Sequence, residues 1–145
     1  MLENRKVQIT REGESITLMG IQETSFQSDY LFGDAGTVAQ LPIFSLQNES
    51  DGFTVLLSHR SELFDLYVDS GIDLVFSGHA HGGQFGLPFV GGLVTPNQGF
   101  FPKYDAGRFD KDNTTMIVSR GVGNSLIPFR INNPPEVVVV ELKMQ

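Results

Sequence analysis

Residues 53–84 read FTVLLSHRSELFDLYVDSGIDLVFSGHAHGGQ, and the way this stretch divides decides the fold. "FTVLL" (53–57) is a short continuous apolar run, the pattern of a buried strand. In "SELFDLYVDSG", Leu63, Leu66, Tyr67 and Ser70 share one helical face, with Ser61 placed as an N-cap and Gly71 as a stop. "IDLVFS" (72–77) is a second buried strand. Strand, crossover helix and strand make a βαβ unit, which predicts a parallel pair with a right-handed crossover.

In sheets of this kind ligands bind just beyond the carboxyl ends of the strands. His59 lies two residues beyond Leu57, and His79 two beyond Ser77, so both are expected at one sheet edge. With His81 they are the 3 histidines of the chain. A lone histidine near a strand end is commonly a hydrogen-bonded structural residue; three converging on one edge point instead to a metal site. An H-x-H pair on extended backbone would turn both rings to one side. Such imidazoles can serve one metal, or two held about 3.5–4 Å apart. Nitrogen donors in mixed carboxylate company suit Zn, Fe, Ni or Mn. Gly78, Gly82 and Gly83 would leave room for backbone to approach a ligand.

Working outward, "RKVQIT" and "SITLMGI" predict a hairpin turned at Gly13. Residues 22–36 show no period and read as loop, with Asp34 of "GDAG" a turn residue, since Thr37 stands where a second carboxylate would be wanted. "TVAQLPIFSLQ" (37–47) predicts a short helix, with Pro42 near its first turn or interrupting it. From Gly78 to Asp110 the chain is rich in glycine, proline and aromatics, a long loop without evident elements. In it Phe100, Phe101 and Tyr104 either line a substrate entrance or anchor the loop. "TTMIVSRG" (114–121) and "EVVVVELK" (136–143) predict two closing strands. "RGVGNS" lacks the strand–helix setting of a dinucleotide fingerprint.

The composition narrows the chemistry. At 145 residues, 40% hydrophobic and 19% charged, the chain has the make-up of one ordinary globular domain. Its formal charge of −7 (10 basic against 17 acidic residues) argues against a nucleic-acid backbone as ligand. With no cysteine, disulfides, thiolate zinc sites and a cysteine nucleophile are excluded. No apolar run reaches the roughly eighteen residues of a membrane span, and "MLENRKVQIT" is no apolar leader. Cytoplasmic and membrane-associated settings are both compatible with this composition.

"LLSHR", then helix, strand and "SGHAHGGQ", with "PKYDAGRF" and "VSRGVGNSLIPFRINNPPEVVVVEL" in the same order, resembles the C-terminal half of calcineurin-like metallophosphoesterases, in the bacterial branch with a G-H-x-H-G-G-Q element. The resemblance implies an α/β fold: a partial α/β/β/α sandwich, mostly β with one βαβ unit. It implies a two-metal centre (Mn, Fe, Zn or Ni) in which His59 and His79 ligate the second metal and His81 the first. A metal-bridging hydroxide would attack a phosphomonoester or phosphodiester substrate. The upstream motifs of that family, D-x-H, G-D-x-x-D and G-N-H-[DE], do not occur here. Residues 1–145 therefore read as the C-terminal portion of a single domain, inactive by itself, with a partial or empty metal site and no catalytic residue of its own. The partners expected are the missing N-terminal half and, through an open sheet, further copies of the chain. Two other readings stand beside it: a non-catalytic self-associating module, and a simple histidine-based metal-binding protein.

Overall fold

The computed structural model describes residues 2–22, 35–48, 50, 52–83, 85–87, 91–95, 98–123 and 130–143. Two β-strands open the chain, β1 (Arg5–Arg11) and β2 (Glu14–Gly20), paired antiparallel through a two-residue turn. Both turn residues have positive φ (Glu12 54°, Gly13 91°), the backbone that matches the twist of a tight hairpin. The expected turn is thus found at Gly13. The expected loop at 22–36, Asp34 included, lies almost wholly outside the described residues.

Helix α1 (Ala35–Asn48) follows, longer at both ends than the sequence suggests. Pro42 sits in mid-helix, neither in the first turn nor as a break. Beside it Ile43 is 1% exposed, and that burial outweighs the one backbone bond a proline forfeits.

The decisive stretch folds as β3 (Phe53–Ser58), a single 3₁₀ turn (Ser61–Leu63), α2 (Phe64–Asp69) and β4 (Leu74–Ser77). β3 and β4 pair parallel, Val55 opposite Leu74 and Leu57 opposite Phe76. β2 is also parallel to β3, so α1 makes a second βαβ connection beyond the one expected. Gly71 ends α2 at φ 70°. Ser61 does not cap it: the 3₁₀ turn has no side-chain cap, and the Ser61 hydroxyl donates to the Tyr104 carbonyl at 3.0 Å. A distant loop competed for that hydroxyl and won.

The 78–110 region is less bare than expected. It holds two small antiparallel pairs, β5 (Gly86–Leu87) with β6 (Gly91–Gly92), and β7 (Val94–Thr95) with β8 (Gly99–Phe100). Its aromatics divide. Tyr104 is 6% exposed and packs edge-on against Phe64 and Phe109, whereas Phe100 and Phe101 are exposed. Strands β9 (Gly107–Lys111) and β10 (Thr114–Val118) then complete a six-stranded sheet in the order β1-β2-β3-β4-β10-β9.

Strand parity assigns the faces. Met19, Leu56, Val75 and Met116 stand on one face and pack with Ile43 of α1 and Phe64 and Tyr67 of α2. This is the core, and both helices cover it. The other face is partly covered: Val55 and Leu74 on it are 3% and 4% exposed, whereas Val7, Ile9, Phe53 and Leu57 are 43%, 48%, 41% and 39% exposed. Architecture and composition thus agree with a mixed α/β sandwich of which the described residues form part.

"EVVVVELK" is not a strand in this structure. Residues 136–143 carry no ladder, and the backbone bond the segment makes is from the Glu136 N–H to the Gly121 carbonyl at 3.1 Å. Its exposure still alternates, Val137 77% and Val139 89% against Val138 39% and Val140 37%. That period is the mark of extended chain. The propensity is present; among the described residues, a neighbouring strand edge is not.

Candidate metal centre

His59 leaves the carboxyl end of β3, and a closed ring of buried hydrogen bonds fixes the chain there. The Tyr67 hydroxyl donates to the Arg60 carbonyl at 2.6 Å, the Ser58 hydroxyl bonds the Tyr67 oxygen at 2.6 Å, and the Arg60 N–H returns to Ser58 Oγ at 3.3 Å. Tyr67 is fully buried on α2, so the crossover helix holds the loop that bears His59.

His79 and His81 leave the end of β4 on backbone that is not extended. Their φ values are 65° and 48°, in the left-handed region that non-glycine residues seldom occupy. The expectation of an extended H-x-H is therefore corrected. Tight turns, Ala80 N–H to Gly78 O and Gly83 N–H to Ala80 O, both at 2.7 Å, impose the curl. Non-glycine residues held at such φ concentrate at functional sites. The histidines face different neighbours as a result. The ring centroids of His59 and His79 lie 4.5 Å apart, tilted by 57°, while His81 Nδ1 stands 3.5 Å from Arg130 Nη2.

The glycines serve the chain itself. A Cβ on Gly82 would come within 2.4 Å of Asn133 Oδ1, and one on Gly83 within 2.3 Å of Gly92 Cα. Close packing of the loop on distant segments, rather than space for a ligand, requires them; at Gly78 a Cβ would meet open space. Asn133, 4% exposed, clasps the loop by donating to the His81 carbonyl at 2.5 Å.

Electrostatics single out His81. Burial pushes its pKa below the ordinary 6.5, and the nearby Arg130 guanidinium and His59 push the same way. The neutral form is favoured, and only neutral imidazole ligates a metal. Beside the cluster, a groove of about 530 Å³ opens on the sheet face away from the helices, lined in part by Leu57, His59, Phe76, Ile117 and Val138.

The donor set fits a metal only in part. Two imidazoles converge closely enough to share a cation, and a third stands by a guanidinium. Among the described residues, no group of three or more His, Cys, Asp or Glu is arranged to hold a metal ion. Carboxylates would be needed to set two cations side by side. Sequence reasoning missed Arg130, Asn133 and the Tyr67 bond ring. Arg130 and Asn133 lie within the quoted "PFRINNPPE" stretch, but nothing local marks their reach to a loop some fifty residues away.

The chain resembles curated proteins of known family. It is 37% identical over 91 residues to the uncharacterized metallophosphoesterase YkuE of Bacillus subtilis, a match covering 63% of this chain and 31% of that protein. It is 35% identical over 88 residues to the phosphodiesterase YaeI of Escherichia coli (61% of this chain, 32% of that protein). It is 30% identical over 98 residues to the UDP-2,3-diacylglucosamine pyrophosphatase LpxG of Chlamydia muridarum (59% and 28%). The chain spans between 23% and 47% of the length of the curated relatives it matches. No family model and no solved structure matches it. Among the described residues, no helix is long and apolar enough to cross a membrane.

Proposed function

From a chain related to metallophosphoesterases over 61–63% of its length, we infer that it contributes the histidine side of a phosphoester-hydrolysing metal centre. Residues 1–145 would be the C-terminal portion of one such domain. His59 and His79 would share one divalent metal (Mn, Fe, Zn or Ni) and His81 would reach a second. The metals, when bound, would activate water and offset charge on phosphate oxygens. This chain's own part is to present imidazoles on the loops that follow two strand ends. The bridging carboxylate and the catalytic histidine would come from the N-terminal half of the domain, docked on the sheet face away from the helices.

One observation carries the reading: two histidines from different strands meet with ring centroids 4.5 Å apart at the sheet edge where α/β proteins bind ligands. Titration of the chain with Zn²⁺ and Mn²⁺, read through the histidine ring resonances, tests it. Saturable shifts of His59 and His79 together are expected; ring signals indifferent to both metals would sink it.

A self-associating, non-catalytic module is the second reading, favoured by the apolar side chains left exposed on the sheet face. A simple histidine-based metal-binding protein is the third. Tight metal binding in a strict monomer, with no hydrolysis on addition of the complementary half, would select it.

A further inference from the structure

Residues 136–143 run as extended chain with no ladder of their own, and two of their four valines, Val137 and Val139, are almost fully exposed. Such a run is a template for a second strand. The sheet offers a matching edge. β1 ends the order β1-β2-β3-β4-β10-β9, and among the described residues no strand or bridge pairs with its outer side.

The two edges are complementary. Within Arg5–Arg11 stand Arg5, Lys6 and Arg11 and no acidic residue, whereas 136–143 carries Glu136 and Glu141 against Lys143. Antiparallel alignment with Glu136 opposite Arg11 sets Val138 opposite Ile9, Val140 opposite Val7 and Glu141 opposite Lys6. Directly opposite residues share a face. Val138 and Val140 therefore lengthen the apolar row of Val7 and Ile9, and each carboxylate meets a cation. A slip of one residue sets Val138 against Gln8 or Thr10; a slip of two sets Glu136 against Ile9 or Lys143 against Lys6. Exposed ion pairs add little affinity, so the charges select the register and valine burial holds it. The other edge, β9, is a poorer acceptor: its Arg108 is bonded to Asp110 at 2.9 Å and its Lys111 to Asp65 at 2.7 Å.

The acceptor edge belongs to another molecule. The bond from the Glu136 N–H to the Gly121 carbonyl, 3.1 Å, holds the start of the segment beyond the carboxyl end of β10. Arg11 lies opposite Glu14, at the amino end of β2. β1 is also four strands from β10, about 19 Å across at the usual strand spacing. Glu136 and Arg11 of one chain thus stand at opposite ends of the sheet.

We propose that residues 136–143 of one copy add as a seventh, antiparallel strand to the β1 edge of a second copy, in the register that sets Val138 opposite Ile9. Each copy has one such segment and one such edge, so the exchange is reciprocal and closes as a two-fold dimer. It is independent of the metal reading.

The test uses the full chain, which has no cysteine, in the absence of metal. Ile9→Cys and Val138→Cys are made separately, one of them isotope-labelled, then mixed and mildly oxidised. A disulfide-linked heterodimer is expected, about ten-fold more abundant than from Gln8→Cys with Val138→Cys, the pair that a one-residue slip would bring together. The double variant Val138→Pro, Val139→Pro loses two successive N–H groups, of which one must face the partner strand. The segment has no ladder to lose within its own chain, so the fold should survive and the dimer seen in sedimentation should vanish. A wild-type chain that stays monomeric, a dimer that survives both prolines, or equal linking of the two cysteine pairs overturns the proposal. No metal enters the experiment, so its outcome leaves the metal reading where it stands.

Discussion

The Tyr67 hydroxyl donates to the Arg60 carbonyl across a buried 2.6 Å bond, tying the crossover helix to the residue that follows His59. Ser58, just before His59, closes the ring from the other side. The position of the histidine is therefore a property of α2 as much as of β3.

Tyr67→Phe removes one hydroxyl and with it the hydrogen bonds to the buried Arg60 carbonyl and Ser58 hydroxyl. The expected loss is about 1–3 kcal/mol of stability, with broadened His59 ring signals. Urea denaturation of the two proteins measures the first. A variant within experimental error of wild type would show that the ring of bonds holds nothing in place.

His79→Ala and His59→Ala should each weaken Zn²⁺ binding at least about ten-fold, as much as losing even an outer partner of a metal site costs. Calorimetry on the folded variants checks this. Equal affinity in either would mean that the ring pair is a packing contact.

The depressed pKa of His81, caused first by burial and then by Arg130 and His59, makes stability depend on pH. The unfolded chain binds the His81 proton more readily than the folded one, so the slope of stability against pH is positive in this range. The contribution is complete above the unfolded value of 6.5 and is lost as pH falls from there through the lower folded value. Denaturation midpoints measured between pH 8 and pH 5 should fall on the acid side, and less steeply in His81→Gln. An unchanged profile in that variant would assign the slope to other groups.

By itself the chain should not turn over an activated aryl phosphodiester, with or without Mn²⁺, because no carboxylate completes the donor set among the described residues. Turnover that disappears in His79→Ala would show that this chain suffices as an enzyme.

The apolar side chains exposed on the sheet face away from the helices predict association. Val7, Ile9, Phe53 and Leu57 stand exposed there, and Val138, in a segment without a ladder, lines a groove with Leu57. Sedimentation over a concentration series should show dimers or larger species, shifted toward monomer by Phe53→Asp. A mass fixed at 16.0 kDa throughout would refute it.

Elements with a local cause can be read directly from the residues. Apolar runs at 53–57 and 72–77, an amphipathic turn between them, Gly13 and Gly71 at their reversals, and the offset of His59 and His79 beyond two strands were all legible, because each depends on neighbours within a few residues. The remaining features depend on contacts between distant residues. Ser61 bonds Tyr104 instead of capping its own helix, a competition between groups 43 residues apart. The loop that bears His79 and His81 is clasped by Asn133, 52 residues beyond His81, and packs on Gly92 closely enough that Gly83 can carry no side chain. Arg130 meets His81 across 49 residues. "EVVVVELK" shows the same division from the opposite side. Its four valines specify extended chain, but a strand is a relation between two backbones, and the pattern within one of them cannot supply the other.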